Sequence, residues 1–355
     1  MQLRSQLKRG FAVATEDVAV SVATEEVVSP VKAPKKTRKT PGNAVMHVPI
    51  AVSNSDEKIV HRYPTLVPAR LLRRYKRFLA DVVLLKADKE EPDAKTEEIT
   101  IYCPNTGPMV GLLDEPNARV QLSKSDDPKR KYQYTLEMIR IHNGERHVWV
   151  GVHSTSANYM VETALKARWF PELGAYDAVQ REVKFAKNSR VDFVLSRVDD
   201  AGDVVHQTYV EVKSVTLAQL FGETKDERCA VFPDTVSTRA QKHVTELLEL
   251  LEKRRDEIEA DKTKKKATKD KTSSASQRVS LSGALVFVVQ RDDCASFMPS
   301  LQHDKNFAQL CAQAEAKGVQ LLAYACRLEP QESASTGLVR LLDALPLHPA
   351  RAKHQ

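Results

Sequence analysis

No stretch of this chain approaches the ~18 uninterrupted apolar residues of a membrane span, and no secretory apolar core opens it. A soluble protein with no membrane partner is therefore expected. Cysteine is sparse and unpatterned: Cys103, Cys229, Cys294, Cys311 and Cys326 form neither a disulfide ladder nor a C-x-x-C zinc spacing. An odd count without a secretory signal points to a reducing, intracellular compartment, leaving cytoplasm, nucleus and organelle open. None of the ten His sits in an H-E-x-x-H spacing, which argues against a zinc enzyme. The 12 Gly build no Walker-type phosphate loop.

What is present is ordinary globular material: 355 residues, 42% hydrophobic, enough for about two domains at roughly 100–200 residues each. The net charge of +7 suggests a polyanion, but its placement weakens that argument. Residues 1–45 and 252–278 each carry +4, leaving −1 for everything else. Residues 1–60 read as a disordered tail whose Lys35-Lys36-Thr37-Arg38-Lys39 run suits either nuclear targeting or a solvated segment. Glu16, Asp17, Glu25 and Glu26 argue against an organellar transit peptide.

Residues 64–151 show short strand patterns at 77–85, 98–103, 119–123, 132–141 and 147–152, with Asn143-Gly144 as a hairpin signal. Five such strands suit a small barrel. From 152 to 330 the pattern changes. A helix over 155–168, with Ser156 or Asn158 as cap, precedes strands at 178–186, 190–197 and 207–215. A helix over 235–255 leads into a Lys- and Ser-rich flexible insertion, 252–278. Strands at 283–290 and 319–326 flank a helix over 307–317 that Gly318 ends. Residues 331–355 read as a C-terminal tail. The fold class is thus α/β (α+β overall), a small barrel followed by an α/β domain with partly parallel pairing.

The sharpest local feature is Tyr209-Val210-Glu211-Val212-Lys213-Ser214. Residues two apart in a strand share a face, roughly 6–7 Å apart, so Glu211 and Lys213 project together. Val191-Asp192-Phe193 sets one carboxylate among apolar neighbours on the preceding strand. If the strands are adjacent, Asp192 and Glu211 can share one Mg²⁺, with Lys213 beside them to activate water. The same residues also suit an ordinary two-faced sheet, and the local pattern leaves both readings open. Glu162 and Glu182 are possible additional acids of the site; Glu182 equally suits a surface strand. Arg239, Gln241, Lys242 and His243, near a helix start, suit either phosphate binding or a solvated face. Basic residues interleaved with rings, Arg73-Arg74-Tyr75-Lys76-Arg77 and Lys129-Arg130-Lys131-Tyr132, suit a single-strand-binding surface or a barrel rim and core. Cys103 reads as a buried thiol rather than a nucleophile.

The D…E-x-K arrangement resembles the PD-(D/E)XK nuclease core. Over residues 66–328 the chain resembles the sugar fermentation stimulation protein A family. The resemblance is carried by 74–82, Cys103-Pro104-Asn105-Thr106-Gly107, 129–132, Ser189-Arg190-Val191-Asp192-Phe193, 209–217, Phe232-Pro233-Asp234, and Arg239 with Gln241-Lys242-His243. That resemblance implies an OB-like barrel (64–151), a PD-(D/E)XK nuclease-like domain (152–330) and DNA binding, single- or double-stranded. It also implies catalytic Asp192, Glu211 and Lys213, and Mg²⁺ (or Mn²⁺) held by Asp192, Glu211 and the Val212 carbonyl. Gln241 joins Glu162 and Glu182 as a possible further site residue. A non-catalytic DNA-binding or regulatory protein that keeps the nuclease fold is the alternative.

Overall fold

A computed structural model describes residues 46–47, 57–86, 89–92, 96–186, 189–222, 227–268 and 279–348. Two strands, β1 (Met46–His47) and β2 (Ile59–Tyr63), come first. A run of short strands follows: β3 (Val67–Tyr75), β4 (Leu79–Leu84), β5 (Glu98–Tyr102), β6 (Arg119–Lys124), β7 (Tyr134–His142) and β8 (His147–Gly151). They pair in the order β5-β4-β3-β6-β7-β8, and Tyr102 opposite Thr135 closes β5 onto β7 as a barrel. Alternate residues point inward, so Ala80 and Val82, Val120 and Leu122, and Leu136 fill the interior. The Asn143-Gly144 signal does turn β7 into β8: Asn143 Oδ1 accepts the amides of Glu145 and Arg146, and Gly144 takes φ 101°.

The basic run 70–77, expected to lead into a strand starting at Arg77, is itself most of β3; the turn falls at Lys76–Phe78. A bulge between Leu71 and Arg73 breaks the period-2 pattern there, which hides the strand in the sequence. Lys76 and Arg77 both occupy the left-handed region, at φ 46° and 64°, a conformation that costs a side-chain-bearing residue about 1–2 kcal/mol.

The second half comprises α1 (Ser156–Lys166), β9 (Ala178–Ala186), β10 (Ser189–Val198), β11 (Val204–Val215), β12 (Leu217–Phe221) and β13 (Glu227–Phe232), then α2 (Thr238–Thr268), β14 (Ser280–Val289), β15 (Ser296–Pro299), α3 (Lys305–Ala316), β16 (Gln320–Gln331) and β17 (Thr336–Ala344). The main sheet runs β1-β9-β10-β11-β14-β16-β17-β2, with β11, β14 and β16 parallel. On one face α1 packs Met160, Val161 and Leu165 against Phe193, Val210 and Val286. On the other, Val244, Leu247 and Leu248 of α2 and Phe307 of α3 cover Leu285, Phe287 and Val289. This alternation along β14 explains its uninterrupted apolar run: it is buried on both faces. Gly318, at φ 87°, ends α3 as expected.

Three boundaries need correction. Residues 59–60, assigned to the N-terminal tail, already belong to β2, which pairs with β17. Residues 336–344, assigned to a C-terminal tail, are that strand, because Leu338, Val339 and Leu341 are buried between β16 and β2. Residues 252–268, taken as flexible insertion, continue α2. The remainder of the insertion, 269–278, most of the N-terminal tail and residues 349–355 of the C-terminal one lie outside the described residues.

Barrel and sheet are joined through buried polar groups. Gln290, at the end of β14, is fully buried; its carbonyl accepts the Gly151 amide at 2.9 Å and its side-chain amide donates to Ser214 at 2.7 Å. A Cβ on Gly151 would stand 2.3 Å from Gln290 Oε1, so any side chain there would push this buried amide out of place. Arg119, in the barrel and 1% exposed at its side chain, forks onto both carboxylate oxygens of Glu332 just beyond β16.

Candidate active site

The pairing of β10 with β11 sets Phe193 opposite Val210, which brings Asp192 beside Glu211 where the ladder stops. Past that point, on the β10 side, the Val212 amide donates to Asp192 Oδ2 at 2.7 Å. N–H and C=O of one strand residue point to the same side, so the Val212 carbonyl faces the same gap. Asp192 Oδ1 accepts Asn158 Nδ2 of α1 at 2.7 Å. Asn158, one of two candidate helix caps, therefore serves the carboxylate; α1 starts after Thr155 without a side-chain cap.

Val210 and Val212 face α1, so Glu211 and Lys213 face α2, as period 2 requires. Lys213 Nζ donates to Glu211 Oε1 at 2.5 Å, and His243 Nδ1 of α2 pairs with the same oxygen. Among the described residues nothing donates to Oε2. Burial alone would raise the Glu211 carboxyl; Lys213 and His243 together reverse this and hold it below the ordinary carboxylate value. Asp192 moves the opposite way, to about 6, because burial and the Glu211 charge outweigh Lys213 and its hydrogen bonds. Two neighbouring carboxyls are thus pushed apart, one firmly ionised and one easily protonated, a pattern associated with acid–base and metal chemistry.

These groups floor a cleft of about 780 Å³. One wall is the barrel loop Asn105–Gly107 with Arg77; the others are the start of α1, Arg181 and Glu182 of β9, and residues 231–240 and His243 leading into α2. Asp234 fixes the barrel wall: its Oδ2 accepts the Met109 amide at 3.1 Å, and a Cβ on Gly107 would meet Asp234 Oδ1 at 2.5 Å. From the barrel side, Arg74 donates to the carbonyls of Arg77, Asn105 and Gly107 at 2.6, 2.8 and 2.9 Å.

The structure separates the residues singled out in the sequence. Asp192, Glu211, Val212, Lys213, Glu182, Arg239, His243 and Arg77 all line the cleft. Glu162 does not; it pairs with Lys166 at 2.8 Å and with Arg181, which does. Gln241 points the other way, donating to Asp304 at 2.8 Å, and Lys242 pairs with Glu246 at 3.6 Å. Arg74 is occupied by loop carbonyls. Arg73 and Tyr75 clasp Asp81, itself 1% exposed, at 2.7 and 2.9 Å. Lys76 is exposed in its turn. Lys129 is exposed away from the cleft, Arg130 donates to Thr135 at 2.9 Å, and Lys131 lies 5.3 Å from the Tyr132 ring. Asn158, Tyr159 and Arg181 entered the site with no sequence signal of their own. All five cysteines are free and buried, Cys103 among them, with its thiol pushed up by burial.

The donor set decides which cation could fit. Among the described residues no three His, Cys, Asp or Glu side chains converge as a metal cage. Two carboxylates and a backbone carbonyl supply oxygen alone, and few of them. That suits Mg²⁺ or Mn²⁺, which retain several waters, and does not suit zinc.

Comparison with known proteins matches residues 72–152 to a family model described as the SfsA N-terminal OB domain. Residues 155–258 and 274–332 match one described as the sugar fermentation stimulation protein RE domain. The break falls within the Lys-rich segment between them. The chain is 36% identical over 284 residues to a sugar fermentation stimulation protein homolog of Nostoc punctiforme, covering 79% of this chain and 98% of that one. A homolog from Cyanothece is 38% identical over 284 residues, 80% and 98% of the two chains. In fold, the chain is similar to Pyrococcus furiosus SfsA in complex with Ca²⁺, with a TM-score of 0.60 at 20% identity over 82% and 99% of the chains.

Proposed function

Because this chain belongs to the sugar fermentation stimulation protein family, we propose that its cleft binds nucleic acid, DNA above all, and hydrolyses a phosphodiester with a divalent cation. One observation carries the reading: Asp192 and Glu211 stand on adjacent strands with Lys213 at 2.5 Å from Glu211, at the floor of a cleft rimmed by Arg77, Arg181 and Arg239. The Ca²⁺ in the Pyrococcus furiosus relative supports a hard-cation site in this fold.

Asp192, Glu211 Oε2 and the Val212 carbonyl are the groups that would hold Mg²⁺ or Mn²⁺. Such a cation supplies Lewis acidity toward phosphoryl oxygen and acidifies water. Asn158 and the Val212 amide fix the Asp192 carboxylate, and His243 fixes that of Glu211. Lys213, buried beside Glu211, stabilises charge developing on the phosphoryl group and orients the attacking water. Arg77 of the barrel and Arg239 of α2, both exposed and both lining the cleft, neutralise flanking phosphates.

The test incubates purified protein with single- and double-stranded DNA and RNA, with Mg²⁺, Mn²⁺ or EDTA. Metal-dependent cleavage that Lys213→Ala abolishes while binding persists is the expected result. Binding without cleavage under every condition overturns the enzyme and leaves a nucleic-acid-binding protein built on the nuclease fold. The small ligand set, two carboxylates only, is the observation that favours this second reading.

A further inference from the structure

Tyr159 follows Asn158 on α1, lines the cleft and is 54% exposed, while Ala157 and Met160 beside it are buried. The packed face of α1 does not use this ring. Arg181 of β9 sets its guanidinium 5.0 Å from the Tyr159 centroid, and Glu162 holds that guanidinium in turn. One face of the ring is therefore backed by an anchored cation. Among the described residues no ring–ring pair and no second cation–π contact involves Tyr159.

We propose that Tyr159 is a stacking platform for an unpaired nucleobase, which makes single-stranded nucleic acid the substrate class of this cleft. The inference rests on the nuclease reading for the cleft's being the nucleic-acid site. A base inside a duplex has both faces covered by its neighbours, so only an unpaired or extruded base can lie on a protein ring. The outer face of Tyr159 would take that base, with Arg181 completing the stack from behind and adding a cation–π contribution. Asn158, the preceding residue, grips Asp192, so the stacked nucleotide is held next to the carboxylate pair. Arg239 and Arg77 lie along the same cleft, where the phosphates of a strand leaving the platform would pass. A stack of this kind accepts any base, because every base has a π-face.

Fluorescence anisotropy in EDTA, where hydrolysis is suppressed, tests this on single-stranded DNA and RNA of one sequence and on the matching duplexes. The single strand that binds more tightly identifies the backbone. Tyr159→Ala should raise its Kd about 5- to 100-fold, as loss of one base stack does. Tyr159→Phe and Tyr159→Trp should stay near wild type, duplex affinity should not move, and 2-aminopurine in the strand should be quenched by wild type and these two variants but not by Tyr159→Ala. Single-strand affinity indifferent to Tyr159→Ala, or a duplex preferred with the same dependence, overturns the platform. Cleavage that persists without any Tyr159 dependence sinks the platform alone. Tyr159-dependent binding with no cleavage in Mg²⁺ or Mn²⁺ upholds the platform and sinks the hydrolysis.

Discussion

At the residue scale the centre is set by which oxygen each donor chooses. Lys213 and His243 converge on Glu211 Oε1, leaving Oε2 without a donor among the described residues, while Asn158 and the Val212 amide take one Asp192 oxygen each. In the proposed nuclease, Lys213→Ala would remove the charge offered to the phosphoryl group, and a loss of about 10²–10³-fold in cleavage rate is expected, since one preorganised donor is worth that much. Oligonucleotide affinity measured by anisotropy should change little. Asn158 touches no substrate in this scheme. It holds a proposed metal ligand, so Asn158→Ala is expected to weaken Mn²⁺ binding about 10- to 100-fold in calorimetric titration, with the fold intact because the helix is otherwise packed through Met160, Val161 and Leu165.

At the scale of elements, Asp304 governs how α2 meets the site. As N-cap of α3 its Oδ1 accepts the Phe307 amide at 2.9 Å, and the same carboxylate takes the Ser237 amide and Gln241 Nε2, both at 2.8 Å. The start of α2, which delivers Arg239 and His243, is thus tied to the start of α3. Asp304→Ala should cost about 3 kcal/mol in urea denaturation, a lost cap plus two hydrogen bonds. It should also lower activity without touching the cleft. Elements whose pattern is local were legible in the sequence. Period 2 set Glu211 and Lys213 on one face and let Asp192 join them, and the both-faces-buried run of β14 announced itself. Features made by tertiary contact were not. In the sequence Gln241 suits a further site residue, a phosphate patch or a solvated helix face alike, and only the packing of α3 shows its amide on Asp304. The bulge at Leu71–Arg73 broke the alternation that would have revealed β3. Thr336–Ala344 became a strand only because β16 and β2 flank it.

At the scale of the molecule, barrel and sheet share a buried charge node. Arg291, 3% exposed, forks onto Asp293, which also takes Arg228 at 3.3 Å and the barrel residue Asn143 at 2.9 Å. Burial works to raise the Asp293 carboxyl, but Arg291 and these partners hold it below the ordinary 3.8. The stabilisation from a depressed carboxyl is full above the unfolded value and is lost as pH falls through the folded one. Asp293→Asn should therefore cost about 3 kcal/mol near neutral pH, where it strands a buried guanidinium, and the gap from wild type should close below about pH 4 in denaturation series. The pairing of β2 with β17 has a temporal meaning. The barrel, built from near neighbours in sequence, has all its strands once residue 151 is made. Strand β2, made before it, must wait for the last strand of the sheet, the most distant strand pairing among the described residues. Synthesis is thus expected to pass through a stage in which the barrel strands are complete and β2 is still unpaired, and strand edges of that kind recruit other chains. A chain ended after Gln331 would be held at that stage for good: by size-exclusion chromatography it should aggregate, and limited proteolysis should release a resistant fragment near residues 64–151.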